Sequence, residues 1–284
     1  MSQTVAIITP AYKAQSTLTT TVRSVIEQTH ADWQHWIVAD DGFDYGAFLD
    51  EQGLNDPRQV FLTSGGVSRG ASVTRNVALE KIDTPFAAIL DADDRLKPGK
   101  LEQAVEMLDR HGIVTTALDV MSADFRHLRH VGAGPDRVLS PGEHKWVSLS
   151  MDAMVVWDRR RGDGRFDPEM SNMTDLEFLL QLYSTTPQSY HLGTPLHDYV
   201  KRDGSMSNAR DVTAGMIASK REIINRLEAG RYGLSEADVA GLVGFLNISI
   251  LAEATYGAAM AARPGLLFED HIAPMLLAYS TGQG

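Results

Sequence analysis

Three carboxylates fall within four residues in "FAAILDADDRLKPGKLE": Asp91, Asp93 and Asp94 follow directly on the apolar run Phe86 to Leu90. Anions this close raise one another's protonation energy, so a folded chain that keeps them needs a compensating group. Asp-x-Asp on a turn after a buried strand presents two carboxylates toward one crevice. That donor set suits a hard divalent cation, Mg²⁺ or Mn²⁺, which takes oxygen ligands and keeps other positions for substrate phosphates. A cation held there neutralises charge on a departing diphosphate. The same residues also read as a strand end leading into a helix cap, with Asp94 or a neighbour serving a helix that begins near Pro98.

The elements that must position this cluster emerge as short apolar runs alternating with amphipathic segments, the pattern of βαβ units building a mostly parallel sheet. It predicts strands at Val5 to Thr9, Gln34 to Ala39, Gln59 to Leu62 and Phe86 to Leu90. Helices are expected from about Ser16 to Gln28 with Ser16 as N-cap, Tyr45 to Gln52, Ala71 to Glu80 after the turn "GVSRGAS", and Pro98 to Arg110. Ligands of such sheets bind outside the carboxyl ends of the strands. "TPAYK", "DDGFD" and "DADD" each follow a predicted strand and therefore converge on one sheet edge.

Beyond about Ile113 the pattern loosens into a strand "IVTTALDVM", a hairpin around "VGAGPDRV" and a strand in "DAMVVWDRR". The Gly-rich turn "RGDGRFDPEM" leads into "TDLEFLLQLY", whose Leu176, Leu179, Leu180 and Tyr183 recur at helical spacing. From near Asn208 the chain is Ala-rich and helical to its end. Its 284 residues suffice for a full enzyme core with an appendage. The net charge of −11 repels bare polyanions, which argues against nucleic acid as a partner. Without cysteine there is no thiolate metal site and no thiol nucleophile. "MSQTVAIITPAYK" reads as a first strand rather than a signal peptide. Val239 to Ala262 is long enough to cross a bilayer, but Asn247, Ser249 and Glu253 interrupt it, so a buried or interface helix is expected.

"VAIITPAYKAQSTLTTTVRSVIEQTHADWQHWIVADDG", "SRGASVTRNVAL" and "FAAILDADDRLKPGKLE" together resemble the nucleotide-sugar-binding half of family 2 glycosyltransferases of the GT-A fold, in the family's order and spacing. The resemblance covers about the first 110 residues and recurs more weakly from Asp152 to Ser207. It implies that Thr9, Pro10, Ala11 and Tyr12 embrace the base and ribose, and that Asp40 hydrogen-bonds the uracil edge while Asp41 shapes the turn. It further implies that Arg75, with Asn76, reaches toward the nucleotide or diphosphate, that Asp91 faces the ribose, and that Asp93 holds the metal with Asp94 in support. Blander readings stand beside these: an Asp-Asp-Gly turn, a core-edge Tyr12 and a surface ion pair for Arg75.

An inverting transfer needs a base for the acceptor hydroxyl. "FDPEMSNMTDLEF" resembles the family segment that carries it; Asp175 stands at the expected place, and Thr174 replaces the usual Glu. Asp175 also favours its helix N-terminus through the dipole, and the two roles are compatible. "HDYVKRDGSMSN" resembles the family's late loop, with Lys201 and Arg202 as cations for the diphosphate and Asp203 near the position of a frequent His. His197 is expected to be a surface or hydrogen-bonded residue rather than a ligand, Trp157 to wall the acceptor site or fill the core, and Arg159 to Arg161 to be solvated.

The fold class expected is α/β, a GT-A mixed and mostly parallel sheet flanked by helices with a C-terminal helical extension. Residues 1–208 form the catalytic domain (1–110 for the donor, 111–208 for the acceptor) and 209–284 the helical region. The activity implied is inverting, Mn²⁺- or Mg²⁺-assisted transfer from a UDP-sugar to a hydroxyl of a saccharide or lipid-linked saccharide. A nucleotide-sugar-binding module without turnover and a sugar nucleotidyltransferase are the alternatives; "TPAYKA" lacks the Gly-rich loop of the latter. The C-terminal helices are candidates for a homodimer contact or peripheral membrane association, and the location expected is cytoplasmic, at the inner face of the membrane.

Overall fold

The computed structural model describes residues 3–202 and 212–282. Its elements run β1 (Val5–Ala11), α1 (Leu18–Ile26), β2 (Trp33–Ala39), α2 (Tyr45–Glu51), β3 (Gln59–Thr63), α3 (Ala71–Leu79), β4 (Phe86–Ile89), β5 (Arg95–Leu96), α4 (Lys100–His111) and β6 (Ile113–Ser122). They continue with β7 (His127–Val131), β8 (Arg137–Leu139), α5 (Pro141–Val147), β9 (Val156–Asp158), α6 (Thr174–Tyr183), β10 (Ser189–Lys201), α7 (Val212–Glu228), α8 (Glu236–Ala262) and α9 (Phe268–Ser280). The ordering β3-β2-β1-β4-β9-β6-β10-β5 makes one sheet, with β7 on β6 and β8 on β10. The four N-terminal strands are parallel, as is the β6–β10 pair, and β9 runs antiparallel between β4 and β6. The expected α/β architecture, mostly parallel and followed by helices, is the one observed.

Short strands without a polar face explain the central sheet. Val5, Ala6, Ile7 and Ile8 are fully buried, and β4 is apolar throughout, as befits strands covered on both faces by helices. The strand β1 runs two residues beyond the expected end, to Ala11, because its parallel pairing with β2 continues to Ala11↔Ala39. Helix α1 starts at Leu18 rather than Ser16: the Thr17 hydroxyl donates back to Ala14 O and makes no side-chain cap. Asp94 does not cap α4, whose N-cap is Gly99.

The expected hairpin around "VGAGPDRV" does not form. Gly134 donates its N–H to Gly193 O and Asp136 accepts from Gly193 N, so this loop is tied to β10 and draws β8 onto it, while β7 stays with β6. A Cβ at Gly193 would sit 1.9 Å from the Gly134 carbonyl oxygen, so the close approach requires glycine there. Trp157 is a core residue, not a wall of the acceptor site: it is fully buried, edge-on to Phe178, which in turn stacks on Phe166 at 4.5 Å. The arginines Arg159 to Arg161 are not simply solvated, since they pair with Asp163, Asp158 and Asp109 and bond nearby carbonyls.

The C-terminal helices pack on the sheet domain through α5. A Cβ on Gly241 would lie 2.6 Å from Gly142 O, and Trp146 Nε1 donates to Gly241 O at 3.0 Å. Among the described residues α8 is the one helix long and apolar enough to cross a membrane. Two of its three polar interruptions are used internally, since Ser249 and Glu253 are buried and Glu253 pairs with Lys220 of α7 at 2.7 Å, while Asn247 is exposed. The expected domain boundary at 208/209 falls outside the described residues.

Because Phe178 joins Trp157 and Phe166 in one fully buried stack, Phe178→Ala should cost about 3–5 kcal/mol of stability. Urea denaturation measures this; a loss below about 1 kcal/mol would mean that the stack is not where the half-sheet and α6 lock together.

Candidate active site

The turn after β4 sends its three carboxylates in three directions. Asp94 turns inward: Oδ1 accepts from Val200 N at 2.8 Å, and Oδ2 lies 3.3 Å from His197 Nε2. His197 Nδ1 is in turn 2.9 Å from Lys100 Nζ, so an Asp94–His197–Lys100 chain is buried under the turn. Burial, with Asp93 and Asp91 adding to it, raises the Asp94 pKa well above the usual carboxylate range. Burial also pushes the Lys100 ammonium down to about 7, against the pull of Asp94. His197 is thus hydrogen-bonded and fully buried, the second of the two expected forms and not a surface residue, because Asp94 and Lys100 flank both ring nitrogens. Asp91 turns outward and pairs with Arg75 Nη2 at 2.5 Å. Asp93 is half-buried, and its pKa is raised to about 6 by burial and by Asp91, with Arg202 opposing.

The strand-one segment is more buried than expected. Thr9 and Ala11 are inaccessible: the Thr9 hydroxyl lies 2.9 Å from His35 Nε2 in the core and Ala11 packs beside Leu18, while Pro10 sits between them in β1. The part open to a ligand begins at Tyr12, which is 45% exposed and therefore not a core-edge aromatic. Its hydroxyl accepts from Ser68 Oγ at 2.8 Å, and Lys13 Nζ lies 5.0 Å from its ring. Asp40 organises the facing loop. Its Oδ1 accepts from Ser64 Oγ and Arg69 N, and its Oδ2 from Gly70 N, the residue that opens α3 with φ +92°. Asp41 accepts from Lys13 N, Phe43 N and Tyr45 Oη, and so shapes the turn as the sequence predicts.

Helix α3 links the acidic turn to the segment before α6. Arg75 is buried, with its guanidinium carbon 4.9 Å from the Phe166 ring centre and Nε without a partner among the described residues. The Asn76 side chain accepts from Phe166 N and donates to Phe166 O, clamping the loop ahead of α6. That helix begins after Met173 at φ +58°, a left-handed conformation uncommon for a bulky residue. In its first turn, Asp175 Oδ2 accepts from Asp152 N at 3.0 Å, and among the described residues Oδ1 has no hydrogen-bond partner. Burial and the Asp152 charge raise the Asp175 pKa, while the Asp152 N–H, Lys145 and Arg75 hold it back. Asp152 itself is held by His144 Nε2 at 2.7 Å and Lys145 Nζ at 2.9 Å, both from α5. Asp152, His144, Lys145 and Phe166 carry no short motif, and sequence reading missed them.

The late loop splits the two expected cations. Lys201 is turned away from the turn, 3.1 Å from Glu269 of α9. Burial works against its charge, but Tyr199 and Glu269 hold the ammonium above the usual lysine range. Arg202 lies near enough to the acidic turn for its charge to favour the Asp93 anion. Asp203 lies outside the described residues. The structure therefore brings Asp91, Asp93, Arg75, Arg202 and Asp175 into one electrostatic neighbourhood, with Tyr12 and the Asp40-held loop at the same strand ends, and leaves Thr9, Ala11 and Lys201 pointing elsewhere.

The raised Asp93 pKa has a measurable consequence. Between the ordinary Asp value and about pH 6 the folded chain holds a proton that the unfolded chain has released, so this group makes stability fall as pH rises through that window. With about two units of difference and partial exposure, the effect is on the order of 1–2 kcal/mol. Asp93→Asn, in chelator, should therefore raise stability at pH 8 by about that amount and leave it unchanged at pH 4. Urea denaturation at both pH values checks this; equal effects at the two would contradict the assignment.

The Glycosyl transferase family 2 model matches residues 6–151. TuaG of Bacillus subtilis strain 168, named for teichuronic acid biosynthesis, is 28% identical over 206 residues, covering 72% of this chain and 81% of its own. The Escherichia coli UDP-Glc:alpha-D-GlcNAc-diphosphoundecaprenol beta-1,3-glucosyltransferase WfgD is 35% identical over 109 residues, 38% of this chain and 42% of its own. Residues 1–349 of Staphylococcus aureus TarS, solved in complex with UDP-GlcNAc, superpose with a TM-score of 0.67 at 18% identity over 97% of this chain and 80% of that one, a likeness of fold. With the family model spanning just over half of the chain and the motif residues gathered at its strand ends, this protein belongs to glycosyl transferase family 2 and is a glycosyltransferase.

Proposed function

We propose that the enzyme takes a sugar from a UDP-sugar and transfers it, with inversion at the anomeric carbon, to a hydroxyl of a saccharide or lipid-linked saccharide during surface-polysaccharide assembly. The observation that carries this reading is the buried Arg75, paired with Asp91, whose charge is also felt by Asp175. A cation between an acidic turn and a half-buried carboxylate marks where a diphosphate and an attacking hydroxyl would meet. WfgD is named for a UDP-Glc donor and a diphosphoundecaprenol-linked acceptor, and TarS was solved with UDP-GlcNAc, which supports both substrate classes.

A divalent cation, Mn²⁺ or Mg²⁺, fits the donor set. Asp93 is an oxygen ligand whose anion is disfavoured by burial and by Asp91, and a cation would relieve that cost. Asp93 would hold it, and the ion would supply charge neutralisation to the leaving diphosphate. The chain's own residues do the rest. Arg75 and Arg202 pair with phosphate oxygens, Tyr12 lies against the nucleotide, and Asp40 fixes the loop that receives the uracil edge, with Oδ2 retaining acceptor capacity. Asp175, held at Oδ2 by Asp152 N, presents Oδ1 to the acceptor hydroxyl. As that oxygen bonds to the anomeric carbon, its proton passes to Asp175 and the bond to the diphosphate breaks, releasing UDP. A carboxylate with a raised pKa is a better base than an ordinary one. Thr174 leaves Asp175 as the sole acid of the family pair, and Lys201 ties the end of β10 to α9. Residues 1–208 are assigned to catalysis and 209–284 to a helical cap, with action at the cytoplasmic face of a membrane.

On this reading Asp175→Asn lowers kcat by about 10²- to 10⁴-fold while UDP affinity stays near that of wild type. Steady-state UDP release and calorimetry with Mn²⁺ separate the two effects, and Asp93→Ala should abolish the metal-dependent part of UDP binding. Full turnover by Asp175→Asn would remove the base assignment, and tight donor binding by the wild type without any turnover on any acceptor would favour a binding module.

A further inference from the structure

A second group of metal-ligating side chains, sharing no residue with the acidic turn, lies on the β6–β7 ribbon. Asp119 of β6 stands directly opposite His130 of β7 in the antiparallel register. His127, three residues earlier on β7, would face the other side of a regular strand, because side chains alternate. The register shifts between Val120 and Met121, however, so that Val120 opposes Arg129 and Met121 opposes His127. This irregularity inserts Leu128 as an extra residue and turns His127 onto the face of Asp119 and His130, the re-aiming that β-bulges produce. Three ligand atoms then meet. His127 Nε2 lies 3.2 Å from Asp119 Oδ1 and 3.3 Å from His130 Nδ1, and His130 Nδ1 also contacts Asp119 Oδ1.

From this geometry we infer that Asp119, His127 and His130 form a binding site for a borderline divalent cation such as Zn²⁺ or Co²⁺. Ligands held about 2.0–2.1 Å from a tetrahedral zinc are themselves about 3.3 Å apart, which is the spacing His127 keeps to its two neighbours. With both imidazoles neutral, each facing N–H can donate to Asp119 Oδ1, and the two N–H groups then confront one another across 3.3 Å; a cation replaces both protons and takes one lone pair from each of the three residues. Asp119 is buried and its other oxygen accepts from Lys97, the outer hydrogen bond that orients a ligating carboxylate. Lys97 also lies 3.7 Å from Asp198 of β10, so two carboxylates share its charge. The histidine side chains are 43% and 57% exposed, which gives the ion a path in and leaves a fourth position for water or a partner's ligand. Two imidazoles select Zn²⁺, Co²⁺ or Ni²⁺ over the Mg²⁺ or Mn²⁺ suited to the all-carboxylate turn, so the two sites differ in metal class.

The test uses the full chain, stripped with chelator and free of nucleotide, titrated calorimetrically with Zn²⁺ alone, and followed with Co²⁺ by its visible d–d absorption. The expected result is one equivalent of Zn²⁺, retained in Asp93→Asn and weakened about 100-fold or more in His127→Gln and in His130→Gln, with the Co²⁺ spectrum of four- or five-coordination lost in both. Both histidines are exposed, and thermal melts in chelator should be the same for wild type and variants; added Zn²⁺ should raise the melting temperature of the wild type alone. Zn²⁺ binding that survives the double histidine variant, that disappears in Asp93→Asn, or that is absent from the wild type would overturn the proposal.

Discussion

Three carboxylates on one tight turn repel one another, and the fold resolves this by giving each a different neighbour. Asp94 is withdrawn from solvent and spent on the backbone of β10, Asp91 is matched by Arg75 from α3, and Asp93 is left facing the crevice as the least satisfied of the three. The first of these contacts organises the most. By accepting from Val200 N, Asp94 ties the end of β10 to the end of β4, so the strand that delivers Arg202 is registered against the same turn that presents Asp93. An acid buried with a strongly raised pKa stabilises the chain less than an ordinary hydrogen-bonded side chain would. Its value lies in placing the other two.

Helix α3 and the segment before α6 extend that arrangement to the acceptor side. Asn76 makes paired hydrogen bonds to the backbone of Phe166, and its neighbour Arg75 lies against the Phe166 ring, so one turn of helix positions both Arg75 and the segment that leads to Asp175. Behind Asp175 stands Asp152, buried with His144 and Lys145. These two residues lie on α5, the helix against which α8 packs through Gly142 and Gly241. The C-terminal helices therefore bear on Asp175 through a continuous set of contacts, and Lys201–Glu269 adds a second tie between the end of β10 and α9.

Much of the donor half was readable in the sequence because periodicity and turn chemistry agree there. The four strands, the helices between them and the convergence of three polar clusters follow from apolar runs that end at polar or turn-forming residues, and Arg75 meets Asp91 at one of those ends. What the sequence could not convey was direction. Thr9 and Ala11 belong to a motif but face the core, because β1 stays paired to Ala11, and Lys201 turns toward a glutamate 68 positions later. Long-range pairing also decided the fate of "VGAGPDRV": a hairpin is the local solution, yet Gly193 on β10 offered a closer backbone. Asp152 stayed hidden for the same reason, since its partners are fixed by the packing of α5 and α6 rather than by any local pattern.

The proposed donor site is built around Arg75, Asp93 and Arg202, with Asp175 on the neighbouring helix α6. The measurement that tests it most directly is a crystal structure of the protein with UDP and Mn²⁺. The account predicts the diphosphate within hydrogen-bonding distance of Arg75 and Arg202, the manganese on Asp93, and the uracil against the loop that Asp40 holds. A nucleotide bound elsewhere, or a diphosphate at these strand ends without contact to Arg75 and Asp93, would contradict it.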